Sequence, residues 1–386
     1  MPSRKTRSTL GRRTGRASRR KVRYAVVGLG HIAQAAVLPA FAHARRNSEL
    51  AALVSDDPVK LRSLARRYRV RATYGYVEFS ECLSSGEVEA VYIALPNFLH
   101  RDYAVAAAEA GCHVLCEKPL AVTEEECEEM IRAAENRGVR LMTAYRLHFE
   151  KANLGAIDVI RSGRLGEPRI FQSVFGLQVA QGNVRLEGED RGGGPLYDLG
   201  VYCVNAARNL FRDEPEEVVA FRSGEPDERF RRVEEMVGAL LRFPGDRLAQ
   251  FTCSFGSSGA GWYQVVGTKG NLRVDPAYDY AGELVHHETV GGKTRTRKFA
   301  RQDQFAAELL DFSDCVLEGR NPEPSGREGL ADVRIIRALL RSAGERRPIA
   351  MADFDRSSRP DRRQEMSKPP VPDEPKLVRV ERPSRG

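Results

Sequence analysis

The segment Val26-Val27-Gly28-Leu29-Gly30-His31-Ile32-Ala33 constrains the fold more than any other stretch of the chain. It sets a G-x-G-x-x-A loop between an apolar, β-branched run, Val22–Val27, and a helical pattern. In such a loop the first glycine permits the tight turn, the second lets the backbone approach a pyrophosphate, and the alanine keeps helix and strand close. A phosphate there rests on the helix N-terminus, where free N–H groups and the dipole favour an anion. Two glycines and an alanine alone are a weak sign, since a plain glycine turn also satisfies the spacing. The strand–turn–helix setting strengthens it and predicts dinucleotide binding at Gly28, Gly30, His31 and Ile32.

The same alternation continues. Apolar runs at Leu50–Ser55, Ala90–Leu95, His113–Cys116 and Val139–Thr143 are separated by amphipathic stretches. Asp57-Pro58 supplies an N-cap and a first-turn proline. Thr123 with Glu126 forms a capping box, and Gly138 ends that helix. Continuous β-rich runs alternating with helices predict a parallel sheet covered on both faces, here a Rossmann domain over residues 22–144. After residue 145 the texture changes. A helical stretch, Phe149–Ser162, leads to an extended run at Arg169–Phe175, and Gly192-Gly193-Gly194 opens a further helix. Glu217–Phe299 is strand-like, with turns at Pro244-Gly245-Asp246, Thr268-Lys269-Gly270-Asn271 and Gly291-Gly292. Helices at Gln302–Leu317 and Arg327–Ser342 close the body. The expected fold is α/β: the Rossmann domain plus a second α/β domain, residues 145–350, with a largely antiparallel open sheet.

The charge is unevenly placed. Of 61 Lys/Arg and 53 Asp/Glu, residues 1–23 hold ten bases and no acid, and residues 356–386 hold nine bases and five acids, so the stretch between is net acidic. The basic balance therefore belongs to a 1–21 arm and a 351–386 tail. Six prolines fall in the last 31 residues, and a loose tail is expected there. Ser, Thr and Gly dilute the arm and no aromatic interleaves for base stacking, which favours a solvated arm over a nucleic-acid partner. Arg12-Arg13 and Arg19-Arg20 raise a twin-arginine export signal, but no apolar stretch follows them. No apolar run approaches the ~20 residues of a membrane span. The seven cysteines include no C-x-x-C, and the seven histidines show no close ligand spacing. Buried, reduced thiols, no metal and a cytoplasmic location are expected.

Three further motifs carry chemistry. Cys116-Glu117-Lys118-Pro119 follows the run His113–Cys116, and Leu95-Pro96-Asn97-Phe98-Leu99-His100 follows Ala90–Leu95. Parallel sheets bind ligands at the C-terminal ends of their strands. Read singly, these are equally a charged pair before a turn and a helix start. In Gly192–Asn205, residues Asp198, Tyr202 and Asn205 fall at i, i+4 and i+7 of a helix and share one face. An acid beside a phenol can hold a substrate hydroxyl and move its proton. The spacing suits an ordinary helix with a buried tyrosine as well. At Ser55-Asp56-Asp57, Asp57 is spent as a cap and Asp56 is the candidate ligand of an adenosine ribose, which selects NAD. Ser55, Lys60 and Arg62 can instead assist a phosphate, so NAD and NADP both stand.

In combination, the order G-x-G-x-x-A, L-P-N-x-x-H, E-K-P and G-G-G-x-L-x-D-x-G-x-Y-x-x-N resembles the Gfo/Idh/MocA oxidoreductase family, most closely its glucose–fructose oxidoreductase branch. Shared details are Val91-Tyr92-Ile93, Tyr145-Arg146, Tyr202 where many relatives carry His, Asn205, Asp275-Pro276-Ala277 and Gly329-Leu330-Ala331-Asp332-Val333-Arg334. The resemblance spans about residues 22–350. It implies reversible hydride transfer between the nicotinamide of NAD or NADP and a sugar or polyol carbon, and an open sheet that supports homodimers or homotetramers. By the same resemblance, Lys118 hydrogen-bonds the reacting oxygen, Pro119 follows a cis peptide bond, Tyr202 is the general acid/base and Asp198 orients substrate and phenol. Leu95, Pro96, Asn97, His100 and Glu117 line the cofactor, while Arg146 and Asn205 bind substrate oxygens. The arginine-rich arm and Asp56 depart from the branch. Two other activities on this fold are a non-catalytic dinucleotide-binding regulator and an NAD-dependent glycosidase; the joint presence of Lys118, Asp198 and Tyr202 weighs against the regulator.

Overall fold

The computed structural model describes residues 20–224, 227–356, 358–371 and 375–380. The arginine pairs Arg12-Arg13 and Arg19, with the rest of the arm up to residue 19, lie outside the described residues. Six parallel strands form the first sheet: β1 (Val22–Val27), β2 (Ser48–Val54), β3 (Ala72–Tyr74), β4 (Ala90–Ile93), β5 (His113–Cys116) and β6 (Leu141–Thr143). Their order is β3-β2-β1-β4-β5-β6. Five of the six match the apolar runs; β3 has three residues, too few to show a pattern. The chain order reverses between β1 and β4, which opens a crevice beyond the C-terminal strand ends.

Helices cover both faces: α1 (residues 33–40), α2 (Pro58–Tyr68), α3 (Phe79–Ser84), α4 (His100–Glu109) and α5 (Glu124–Arg137). Their ends obey the predicted signals. Asp57 accepts the Val59 and Lys60 N–H groups at 2.8 and 3.1 Å. The Thr123–Glu126 capping box forms, and Gly138 closes α5 in the left-handed region. At the β1–α1 turn Gly28 has φ +90°, and a Cβ there would lie 2.5 Å from the Ala94 carbonyl oxygen. Only glycine allows β1 and β4 to approach so closely at their ends.

The second half adds α6 (Lys151–Arg161), α7 (Val201–Phe211), α8 (Gln304–Glu318) and α9 (Gly326–Glu345). Its strands are β7 (Pro168–Gly176), β8 (Glu217–Ser223), β9 (Met236–Phe243), β10 (Arg247–Ser254), β11 (Ala260–Gly267), β12 (Gly270–Val274), β13 (Leu284–Val290), β14 (Lys293–Phe299) and β15 (Ile349–Ala350). They form one sheet, β14-β13-β12-β11-β7-β10-β9-β8-β15, antiparallel except for the pair β7 and β10. The three predicted turns join β9 to β10, β11 to β12 and β13 to β14. Helices α7 and α9 pack on one face of this sheet. Helix α8 instead returns to the first sheet, where Ser313 Oγ and Tyr24 Oη lie 2.7 Å apart and Asn47 donates to Leu310 O and Asp314. That crossing locks the two halves together and sets Phe305 of α8 at the edge of the crevice.

The described part of the C-terminal tail is not loose. Arg356 pairs with Glu323 and Glu328, Arg359 reaches Glu214 at 2.9 Å, and Gln364 donates to Glu323 O at 2.6 Å. Its arginines find acids of the net-acidic body, and its prolines suit an extended segment that offers few N–H groups. Composition alone reads such a segment as disordered because the partners are distant in sequence.

Candidate active site

A cleft of about 870 Å³ opens where the crevice of the first sheet faces the second domain. Gly30, His31 and Ile32 line one end, with Leu95, Pro96, Asn97, Glu117 and Lys118 along the first sheet's edge. The second domain contributes Arg185, Asp198, Tyr202, Tyr278 and Tyr280. A Cβ on Gly30 would meet nothing within 4 Å, so the loop backbone is open toward the cleft. Bare backbone at a helix N-terminus, at a strand-order reversal, fits the pyrophosphate of a dinucleotide.

Lys118 and Asp198 come from opposite domains and meet in this cleft. Lys118 Nζ donates to Asp198 O at 2.9 Å and to Asp198 Oδ1 at 3.0 Å. Arg185 Nε donates to the other carboxylate oxygen at 2.7 Å. Burial alone would raise the Asp198 carboxyl, but Arg185 and Lys118 together hold it well below the ordinary carboxylate range. Burial likewise opposes the charge on Lys118, and Asp198 outweighs it, so the ammonium is raised above its ordinary value. The Tyr202 ring lies under Lys118, with Nζ 4.7 Å from the ring centroid. Arg146 Nη2 donates to the Tyr202 oxygen at 3.3 Å while Nη2 also holds Tyr278 O at 2.6 Å and Nη1 bonds Gln304. Behind Lys118, burial raises the Glu117 carboxyl, which accepts the Tyr92 O–H at 2.9 Å. Lys118-Pro119 is a cis peptide bond.

Of the expected site residues, Gly28, Ser55, Asp56, His100, Pro119 and Asn205 do not line this cleft, and two of these, His100 and Asn205, are bonded into the interior. His100 is fully buried on α4, its Nδ1 2.9 Å from Pro119 O and its Nε2 2.9 Å from Leu95 O. It ties the L-P-N-x-x-H loop to the E-K-P loop and so shapes the cofactor side without lining it. Asn205 turns into the interior. Its Oδ1 is 2.9 Å from His148 Nε2, and its amide donates to Glu328 and Asp332, each at 2.8 Å. The reason is local. Leu196–Gly200 is a π turn ahead of α7, and its wider winding rotates every later residue. Asp198 and Tyr202 still share the cleft, whereas Asn205 no longer does. Asn97 serves both domains, lining the cleft and donating to Gly192 O at 2.7 Å.

At the far end of the cofactor side, Ser55 Oγ accepts the Asp57 N–H at 3.3 Å and Asp56 Oδ1 accepts the Tyr76 N–H at 2.6 Å. The sequence named no role for Arg185, Tyr278 or Tyr280. The signals were a loop at 178–191 without a pattern and the segment after Asp275-Pro276-Ala277, and neither shows which side chain turns inward.

A glycine turn that can hold a dinucleotide, opening toward a lysine, an aspartate and a phenol able to exchange protons, fits a dinucleotide-dependent oxidoreductase. Comparison with known proteins agrees. Residues 22–145 match the family model described as an oxidoreductase family with an NAD-binding Rossmann fold, and residues 154–273 match the GFO/IDH/MocA C-terminal domain. The D-xylose 1-dehydrogenase [NADP(+)] of Haloarcula marismortui is 33% identical over 335 residues, covering 83% of this chain and 91% of that protein. The aldose-aldose oxidoreductase of Caulobacter crescentus, solved with glycerol, is 38% identical with TM-score 0.82, covering 86% of this chain and all of that one. KijD10, a 3-ketoreductase from Actinomadura kijaniata solved with NADP and TDP-benzene, is 28% identical with TM-score 0.77, covering 83% of this chain and 98% of that one. The chain belongs to the Gfo/Idh/MocA oxidoreductase family and is an NAD(P)-dependent enzyme. Kinship with dehydrogenases and reductases favours that activity over a non-catalytic regulator or a glycosidase.

Proposed function

We propose that the enzyme interconverts a carbinol and a carbonyl carbon of an aldose or polyol, with NADP as its working coenzyme. The observation that carries this reading is the meeting of Lys118, Asp198 and Tyr202 in one cleft beside the open glycine turn. When bound, the nicotinamide supplies the hydride acceptor or donor. The chain does the rest. An ammonium has three N–H donors. Two of those on Lys118 are held by Asp198, which leaves one for the reacting oxygen. Tyr202 accepts an N–H from Arg146, so its own O–H is free to point at the same oxygen. In reduction that O–H gives its proton to the oxygen and leaves a phenolate; in oxidation the phenolate takes up the carbinol proton and becomes the phenol again. Lys118 and Arg146, two cations facing one ring, favour negative charge as it develops on that oxygen. Asp198 stays ionised between Arg185 and Lys118 and fixes the lysine's direction.

The Haloarcula relative is named for NADP(+), and KijD10 was solved with NADP, which supports the coenzyme choice. The outer face of the second sheet exposes Phe221, 77% accessible, beside Ile170, Leu240 and Leu248. An apolar patch of this kind supports a homodimer or homotetramer through that sheet. The seven buried, unpaired thiols suit a reducing compartment and hence the cytoplasm. No helix among the described residues is long and apolar enough to cross a membrane.

The test is a panel of aldoses, polyols and inositols with NAD+ and NADP+, read as nicotinamide absorbance, with light scattering on the same sample. Reduction of NADP+ by at least one aldose or polyol, faster than of NAD+, is expected from a dimer or tetramer. No absorbance change across the panel contradicts the activity, and a monomer contradicts the role of the sheet face.

A further inference from the structure

The C-terminal segment around Val378 docks on the cofactor side of the first domain, far in sequence from the motifs that define it. Gln34, in α1 just after the glycine turn, is fully buried. Its amide nitrogen donates to Leu29 O at 2.9 Å and to Val378 O at 3.1 Å, and its amide oxygen accepts the Val378 N–H at 2.8 Å. One side chain thus satisfies both backbone groups of a tail residue and at the same time holds the backbone inside the G-x-G turn. Arg67 on α2 donates to Lys376 O at 2.7 Å, which fixes the segment two residues earlier. At Arg379 the chain turns through the left-handed region, φ 49°, and its Nη1 comes to 3.6 Å from Asp57 Oδ1. That oxygen caps α2 through the Val59 and Lys60 N–H groups.

The segment therefore runs from α2 to the N-terminal ends of α1 and α2. In this fold those two ends face the pyrophosphate and the adenosine ribose. Asp56 and Asp57 alone make the ribose end hostile to a second phosphate, since two carboxylates repel it. The Arg379 guanidinium sits against one of them and is 61% exposed, so most of its donors remain available. Lys60 stands one turn away on the same helix end.

We propose that residues 376–379 are part of the coenzyme site: the Gln34–Val378 pairing stiffens the glycine turn, and Arg379 binds the 2′-phosphate of NADP and so selects it over NAD. This rests on the dinucleotide lying along the glycine turn, as argued above. The physical basis is the planar guanidinium, which matches phosphate oxygens in a way no other side chain does. Arg379 is a binding residue here and has no part in the chemical step.

The test is a calorimetric titration of NADP+ and of NAD+ into the full chain, into Arg379→Ala, into Arg379→Lys and into a chain ending at residue 371. The Arg379→Ala protein should bind NADP+ about tenfold more weakly, a typical loss for one charge-assisted phosphate contact, with NAD+ affinity changed less than about twofold. Arg379→Lys should recover part of the loss. The shortened chain should lose at least as much for NADP+ and also weaken toward NAD+, because the glycine turn loses its clamp. Equal NADP+ affinity in the parent and Arg379→Ala proteins, or equal losses for both dinucleotides, overturns the proposal and leaves the dinucleotide site intact. A parent protein that binds neither dinucleotide overturns the proposal together with the reading beneath it.

Discussion

Tyr202→Phe lowers turnover by ~10²–10⁴-fold, the range that a positioned acid–base group contributes, while coenzyme affinity stays where it was. The ring remains, so the packing of Phe175 and Tyr278 against it is kept, with centroids 5.6 and 5.8 Å away. Only the oxygen is lost. With it go the Arg146 contact at 3.3 Å and the group that exchanges the substrate proton. Because Lys118 and Asp198 are untouched, substrate binding should weaken far less than turnover, and the loss should appear in kcat more than in KM. Stopped-flow reduction of bound NADP+ together with a coenzyme titration separates the two effects. Unchanged turnover would remove Tyr202 from the chemistry. A large loss of coenzyme affinity would mean that the phenol supports the cleft and leaves the proton to another group.

The second large effect lies below the cleft. Arg208 is fully buried, and its guanidinium bonds Glu214 at 2.6 and 2.9 Å, Glu328 at 3.1 and 3.2 Å and Asp332 at 2.5 Å. Burial would lower the guanidinium pKa, yet the facing acids hold it above its ordinary value. Arg208→Met keeps most of the volume and removes the charge. Three acids, two of them fully buried, then lose their common partner, and stability should fall by ~3–5 kcal/mol. Urea unfolding of the coenzyme-free protein reads this as a lower midpoint at similar slope. A midpoint close to that of the parent would show that the acids take up protons and repack, and that the network contributes little. This network also explains Asn205. Its amide is committed to Glu328 and Asp332 on α9, which ties α7 to the same network.

Much of the architecture was legible in the chain because it depends on local rules. Apolar runs with helices between them gave a parallel sheet, and Asp57, Thr123 and Gly138 marked helix ends where the structure has them. Strand ends and helix spacing put Lys118 and Asp198 among the candidates, and the joint order of the four motifs, through the family resemblance, gave them their roles. What stayed hidden depends on contacts across the fold. The π turn at Leu196–Gly200 has no sequence signature and moved Asn205 off the expected face. His100 reads as a cleft residue by its place in the motif, yet it is consumed by three backbone carbonyls. Arg185 lies in a loop without periodicity, and only the fold brings it to Asp198. The tail illustrates the same limit, since its arginines acquire meaning only beside acids brought to them by the fold, as Glu323 is to Arg356 and Glu214, 145 residues away, to Arg359.

A crystal structure of the enzyme with NADP+ and an unreactive polyol measures the decisive quantities, namely the distances from Lys118 Nζ and Tyr202 Oη to one polyol oxygen. Both are expected within hydrogen-bond range of the same oxygen, on a single face of the nicotinamide ring. A ring bound away from this cleft, or an oxygen reached by one of the two groups with the other turned aside, would contradict this arrangement.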